Sequence, residues 1–68
     1  MNKVFPSRLK ELRTEKGVSQ KILAKKLHIS ISTLSHWECG YQEPSFEDLI
    51  ALCNYFEVSA DYFLGISD

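Results

Sequence analysis

The fold of this chain is built around the stretch Ser19-Gln-Lys-Ile-Leu-Ala-Lys-Lys-Leu-His-Ile-Ser-Ile-Ser-Thr-Leu-Ser-His-Trp-Glu-Cys-Gly40. It contains two short helical patterns, and each opens on a serine that can cap a helix N-terminus, Ser19 in the first and Ser30 in the second. Apolar residues three and four apart mark a buried face in each pattern: Leu23, Ala24 and Leu27, then Leu34 and Trp37. Gly40 is the stop signal of the second helix.

The connection between the two patterns is very short. Only His28 and Ile29 separate Leu27 from the cap at Ser30, so the two helices must cross steeply. This is the helix-turn-helix arrangement, here over about residues 19–38, and it commonly places its second helix in the DNA major groove. The sequence therefore predicts that the helix over 30–38 reads duplex DNA.

One further helix is predicted before this motif. Pro6 suits a first helical position, where its missing N–H has no partner to lose, and Gly17 ends the helix after Lys16. The residues from Met1 to Phe5 are then a short arm ahead of helix one.

Two more helices are predicted after the motif. Ser45 opens a Ser-x-x-Asp capping box, and its helix runs to about Phe56. The apolar stripe of that helix is Phe46, Leu49, Leu52, Cys53 and Phe56, with Ile50 packing beside it. A last short helix runs from Ser59 to Leu64 and ends at Gly65. Residues 1–68 therefore form a single all-α domain of five helices.

The composition is that of an ordinary globular protein, with 44% apolar and 25% charged residues among 68. No apolar run approaches the ~20 residues that a membrane span needs, and no signal peptide is visible. Cys39 and Cys53 are too few for a disulfide framework. We therefore expect a cytoplasmic protein, nucleoid-associated when bound to DNA, with no membrane partner.

The charges are separated along the chain. All eight basic residues lie before position 27, whereas residues 38–68 carry seven acidic residues and no basic one. A basic half suits a polyanion, and an acidic half would be turned away from it. Two solvated faces that merely differ in charge are the alternative interpretation.

Catalytic and metal-binding patterns are absent from the sequence. No nucleophile–base pair or paired carboxylates appear, and so short a chain offers little room for a substrate pocket. His36 and Cys39 are spaced as two metal ligands, but no third follows nearby. We expect no enzyme activity, no metal, no cofactor and no small-molecule substrate.

Residues 8–65 carry an ordered set of short motifs. In chain order they are Arg8-Leu9-Lys10-Glu11-Leu12-Arg13, Gly17-Val18-Ser19-Gln20, Leu23-Ala24-Lys25-Lys26-Leu27, Ile29-Ser30, Ser32-Thr33-Leu34-Ser35, Trp37-Glu38, Gly40, Pro44-Ser45 and Val58-Ser59-Ala60-Asp61-Tyr62. At these spacings the set resembles the lambda-repressor-like DNA-binding domain of phage repressors and Xre-type bacterial regulators. The resemblance implies a compact five-helix fold and a sequence-specific transcriptional regulator, most often a repressor, that binds double-stranded operator DNA.

The resemblance also implies which residues meet the DNA. The positions that resemble base readers are Ile31, Ser32, Ser35 and His36. Those expected at phosphates are Ser19, Gln20, Thr33, Trp37 and Tyr41. An apolar Ile31 suits a thymine methyl group, or else packs as a core or staple residue. Trp37 is either a phosphate contact or a core residue, and Gln20 either a phosphate contact or a solvated side chain.

Arg13 and Glu38 are opposite charges that each border an apolar face. Such positions are tolerable only if the two charges pair, and in the family the matching positions form a buried ion pair. We predict that this pair ties helix one to helix three.

A two-fold homodimer is a further implication of the resemblance. The expected dimer patch is the last helix, with Ala60, Tyr62 and Phe63 as candidates, since exposed aromatic residues on a short terminal helix need covering. The two reading helices would then lie about 34 Å apart, one turn of DNA.

The sequence departs from the family pattern in the turn and on the reading helix. His28 stands where glycine is usual, which predicts a histidine at positive φ, and Glu57 stands at a similar helix end. Helix three has no Arg or Lys to contact guanine, and Glu43 follows it. The competing hypothesis is a helix-turn-helix-derived protein-interaction module, an antitoxin or anti-repressor with weak DNA binding.

Overall fold

The computed structural model describes residues 3–66, and within that range it contains five α-helices and no strand. In chain order they are α1 (Val4–Lys16), α2 (Gln20–Leu27), α3 (Ile31–Glu38), α4 (Phe46–Phe56) and α5 (Ala60–Leu64). The predicted all-α fold is thus confirmed. None of these helices is both long enough and apolar enough to cross a membrane.

Four of the helices begin at the predicted serine caps. The hydroxyl groups of Ser19, Ser30, Ser45 and Ser59 each accept a hydrogen bond from the backbone N–H three residues later, at distances of 3.1, 3.0, 3.1 and 3.3 Å. Each cap satisfies an N–H that has no partner inside its helix, a contribution of about 1 kcal/mol. Helices α2 to α5 therefore start where local sequence places them.

Two helices end at a left-handed residue that is not glycine. His28, after α2, has φ 58° and Glu57, after α4, has φ 57°. The predicted positive φ of His28 is therefore confirmed. A side chain in this conformation costs roughly 1 kcal/mol, which the packing on either side of the turn must offset.

The start of α1 differs from the prediction. The helix begins at Val4, so Pro6 is its third residue rather than its first. Proline is tolerated there because the first four N–H groups of a helix have no intrahelical partner in any case. Phe5 is buried and holds this first turn to the core. Residues 1–2 of the predicted arm lie outside the described residues, and the rest of the arm is cap and helix.

The core draws apolar side chains from all five helices. Its buried members are Phe5, Leu9, Leu23, Ala24, Leu34, Trp37, Leu49, Leu52 and Phe63. Burying each of the larger ones contributes roughly 1.5–3 kcal/mol. None of the described polar or charged residues is buried in this set. The core therefore packs against one side of the helix-turn-helix, formed by α2 and α3, and the opposite side faces solvent.

The predicted apolar stripe of α4 is only partly correct. Leu49 and Leu52 are buried, but Phe46 is 76% exposed and Ile50 is 44% exposed. Residues four apart lie on the same side of a helix, so Phe46 and Ile50 share a side that no other helix covers. Cys53 and Phe56, the other predicted members of the stripe, are half-buried and pack against the core.

Phe63 was predicted at a dimer interface, and that prediction is wrong. Its side chain is 0% exposed. The ring packs against Phe5, with 5.4 Å between the ring centroids, and so closes the core between the last helix and the first. Ala60 and Tyr62 keep partly exposed surfaces on α5.

Candidate nucleic-acid interface

Helix α3 has one buried side and one open side. Leu34 is 0% exposed and anchors the helix to the core. On the other side Ile31 and Ser32 are exposed, and Ser35 and His36 are half-buried. The four residues predicted to contact bases are therefore all accessible, and Ile31, at 47% exposure, is a surface residue rather than a core residue.

Trp37 does not occupy the position that a phosphate contact requires. It is 2% exposed and belongs to the core cluster beside Leu34. The residue lies three positions after Leu34, which puts it on the same buried side of α3. Of the two interpretations open at the sequence level, the core one is correct.

Two hydroxyl groups, those of Ser30 and Thr33, lie at the N-terminus of α3. Ser30 Oγ accepts the N–H of Thr33 at 3.0 Å and lies 2.8 Å from Thr33 Oγ1. The backbone N–H groups of Ile31 and Ser32 precede the first hydrogen bond within the helix, so they remain directed outward. A helix start of this kind favours an anion through both its N–H groups and its dipole.

The N-terminus of α2 has the same construction. Ser19 Oγ accepts the N–H of Ile22 at 3.1 Å, which leaves the N–H groups of Gln20 and Lys21 ahead of the cap bond. The Gln20 side chain is not merely solvated, because its Nε2 donates to Glu38 Oε1 at 3.1 Å. Gln20 is thus held at the start of α2 by a residue of α3.

Arg13 and Glu38 form the ion pair that joins α1 to α3. Arg13 Nε donates to Glu38 Oε2 at 2.6 Å, and Arg13 Nη2 donates to Glu38 Oε1 at 3.2 Å. Their side chains are only 15% and 5% exposed. Arg13 Nη1 also donates to the carbonyl of Val18 at 3.0 Å. Together with Gln20, the pair fixes α1, α2 and α3 relative to one another.

The loop after α3 folds back over the end of that helix. Gly40 has φ 81°, and this left-handed turn brings the N–H groups of Tyr41 and Gln42 to the carbonyl of His36, at 2.9 and 3.2 Å. The Tyr41 ring lies 5.0 Å from the His36 ring, centroid to centroid. Gln42 Oε1 lies 3.3 Å from His36 Nδ1. Tyr41, expected at a phosphate, and His36, expected at a base, are therefore neighbours.

Two lysines at this surface were missed at the sequence level. Lys10 lines one depression together with Gln20, Ser35 and Cys39, and a neighbouring depression together with Lys3. Lys3 is the cap residue of α1 and stands seven positions, about two helical turns, before Lys10, which brings the two to the same side. That spacing could have identified them, but the predicted arm over residues 1–5 separated Lys3 from the helix.

Both arginines are already engaged within the protein. Arg13 pairs with Glu38, whereas Arg8 donates to the carbonyl of Tyr62 and stacks 4.5 Å above its ring. The positive charge of this surface therefore comes from lysines.

The remaining titratable clusters do not suggest other chemistry. Among the described residues, no group of three or more His, Cys, Asp or Glu residues is arranged to hold a metal ion. Cys39 is exposed, whereas Cys53 packs against the core, where burial raises the pKa of its thiol.

The comparison with protein families matches a helix-turn-helix model to residues 9–63. The matched segment runs from the first turns of α1 to the buried end of α5. It therefore covers the whole candidate interface except Lys3.

Several bacterial transcriptional regulators are similar in sequence. The HTH-type transcriptional regulator ImmR of Bacillus subtilis is 45% identical over 58 residues, which are 85% of this chain and 46% of that protein. The HTH-type transcriptional activator BcrR of Enterococcus faecalis is 37% identical over 61 residues, 90% of this chain and 30% of that protein. This chain thus spans about half the length of such relatives or less.

Among solved structures, the DNA-binding domain of the P22 c2 repressor, residues 1–76, determined in solution, is similar over nearly the whole chain. The TM-score is 0.83 at 32% sequence identity, covering 94% of this chain and 86% of that one.

Proposed function

The chain belongs to the helix-turn-helix family, whose family model matches residues 9–63, and we propose that it is a transcriptional regulator. In this proposal it binds specific sequences of double-stranded DNA and acts as a repressor. The observation that carries the proposal is the position of Lys10, which lines one depression with Gln20 of α2 and Ser35 of α3. The Lys10 ammonium group, which can bind a phosphate, therefore lies beside the exposed side of α3. Regulators of this kind act on DNA in the cytoplasm.

In the proposed complex α3 lies in the major groove and reads bases with four side chains: Ile31, Ser32, Ser35 and His36. Ile31 suits a thymine methyl group, because it is an exposed apolar side chain at the start of the helix and that methyl is the apolar group of the major groove. The serine hydroxyls can donate or accept, so they discriminate weakly between bases.

Phosphates are contacted on either side of that helix. The N–H groups of Gln20 and Lys21 at the start of α2 offer one anion site, and Ser19 and Thr33 contribute hydroxyls near the two helix starts. Lys10 and Lys3 add charge along α1, and the exposed Tyr41 reaches out from the loop after α3. Trp37 has no part in this set, because it is buried.

We infer a homodimer on DNA, with two copies of α3 about 34 Å apart to match one helical turn. Two-fold sites compensate for the absence of Arg and Lys from α3, since each half-site then contributes its own contacts. Ala60 and Tyr62 remain the candidates for the contact between copies, because both keep exposed surface on α5.

The decisive experiment is a binding titration at two salt concentrations. The probe is duplex DNA from upstream of the protein's own gene, measured by fluorescence anisotropy at 50 and 200 mM salt. If four phosphates are contacted, affinity should fall roughly 100-fold between the two concentrations. Absence of binding at the lower concentration would favour the protein-interaction module instead.

Matched lysine variants test the geometry. Lys10→Ala should weaken binding uniformly across sequences and reduce the salt slope by about one. Lys16→Ala is the control, because Lys16 lies 4.6 Å from the Tyr55 ring at the other end of α1. Equal effects of the two changes would contradict the placement of Lys10 at the interface.

Repression is tested separately from binding. A reporter gene placed behind the bound DNA should be expressed less when the protein is present. Increased expression would identify an activator and leave the DNA-binding proposal intact.

A further inference from the structure

The His36 imidazole is held by the loop that follows α3. On one side lies the Tyr41 ring, 5.0 Å away between centroids and tilted by 57°. At its edge, Nδ1 lies 3.3 Å from Gln42 Oε1. The N–H groups of both loop residues donate to the His36 carbonyl, so the loop is anchored to the backbone of His36. The ring is thus oriented before any ligand arrives.

The contact with Gln42 favours one of the two positions for the ring proton. Gln42 turns its amide oxygen toward Nδ1, and because an amide oxygen accepts, a hydrogen bond in this arrangement requires the proton on Nδ1. In a neutral imidazole one nitrogen is protonated and the other is not, and the partner of one nitrogen sets the state of the other. Nε2 of His36 is therefore left as a hydrogen-bond acceptor.

We propose that Gln42, which lies outside the reading helix, determines which base His36 selects. In the major groove the hydrogen-bond donors are the amino groups of cytosine and adenine, whereas guanine presents only acceptors there. An imidazole with an unprotonated Nε2 is matched to cytosine or adenine. Without Gln42 the proton can occupy Nε2, and the same ring can then donate to guanine. The inference rests on the proposed function, because it requires α3 in the major groove.

The tautomer is measured without DNA, by two-bond ¹H–¹⁵N correlation spectra of the intact chain at about pH 8, where histidine side chains are ordinarily neutral. We expect the Nδ1–H form of His36 in the unaltered protein. Gln42→Leu removes the acceptor and should shift the ring toward the Nε2–H form. Gln42→Glu keeps an oxygen acceptor at the same position and should retain the Nδ1–H form. His36 spectra that are identical in the unaltered chain and in Gln42→Leu would overturn the role of Gln42.

Base preference is measured on the same variants with a pool of randomised duplexes. His36→Ala identifies the position that His36 reads, as the position whose preference is lost. There the unaltered protein and Gln42→Glu should prefer cytosine or adenine by roughly fivefold or more, whereas Gln42→Leu should lose that preference or move it to guanine. An unaltered protein that prefers guanine or thymine at this position would overturn the inference.

The two measurements separate the two proposals. DNA binding with the same base preference in Gln42→Leu would refute the inference and leave the proposed function standing. Failure of the unaltered chain to bind any duplex would overturn the proposed function, and the base assignment with it, whatever the tautomer. Because Gln42 is exposed, the thermal unfolding of its variants should be unchanged. That result would show that the effects on binding are not due to misfolding.

Discussion

Replacing Glu38 with alanine should destabilise the protein by about 3–5 kcal/mol, because the change leaves a largely enclosed guanidinium without its counter-ion. The Glu38 carboxylate accepts bonds from Arg13 Nε at 2.6 Å, Arg13 Nη2 at 3.2 Å and Gln20 Nε2 at 3.1 Å. With Glu38 removed, Arg13 keeps its bond to the Val18 carbonyl but, at 15% exposure, has little access to water.

This loss is large compared with the stability of so small a domain. At about 0.05–0.15 kcal/mol per residue, a chain of 68 residues is stable by roughly 3–10 kcal/mol. The variant should therefore be near its unfolding threshold at room temperature. Since 1 kcal/mol shifts the melting temperature of a domain of this size by about 4–8 °C, a decrease of at least ~12 °C is expected.

The assay is urea unfolding followed by far-ultraviolet circular dichroism. Glu11→Ala is the matched control, since Glu11 is an exposed carboxylate on α1 and its loss should change stability by no more than about 0.5 kcal/mol. The double variant Arg13→Met, Glu38→Leu should recover most of the loss, because well-packed apolar residues replace buried ion pairs at little cost. If Glu38→Ala lies within about 1 kcal/mol of Glu11→Ala, the structural role of the pair is refuted.

Three further predictions concern the turn, the core and the thiols. His28→Gly should stabilise the protein by roughly 0.5–1 kcal/mol, because glycine adopts φ 58° without strain, whereas His28→Ala should not; equal melting curves for the two would contradict this. Phe63→Ala should cost about 3–5 kcal/mol at every protein concentration, as expected for a core residue, and a concentration-dependent loss would instead indicate a dimer contact. A thiol reagent near pH 8 should label the exposed Cys39 at once and Cys53 slowly, since burial raises the pKa of Cys53 and the thiolate is the reactive form. Labelling of Cys53 should accelerate as pH rises toward that pKa, and equal rates for the two thiols would show that Cys53 is not protected.

Features that depend on a few neighbouring residues were predictable from the sequence. The caps at Ser19, Ser30, Ser45 and Ser59 are each completed by an N–H three residues away. The left-handed residue at His28 follows from the short link between two helices. The start of α1 was not predictable in this way, because tertiary packing of Phe5 extends the helix ahead of Pro6.

Features that depend on which helices become neighbours were not predictable from periodicity. Phe46 and Phe63 are both phenylalanines near the start or end of a helix, yet Phe46 is 76% exposed and Phe63 is 0% exposed. A period identifies the side of a helix that is apolar, but only the arrangement of the other helices decides whether that side is covered. For the same reason, apolar spacing does not distinguish a core position of Trp37 from a surface position.

The five helices, their caps and the helix-turn-helix follow from local hydrogen bonding and apolar spacing, so the chain specifies them segment by segment. The polar contacts that cross the fold depend instead on tertiary packing. Gln20 and Glu38 are 18 positions apart in the chain, and Lys10 reaches the depression of Ser35 from another helix. Such contacts depend on how α1, α2 and α3 pack, and packing is a property of the whole core rather than of any segment.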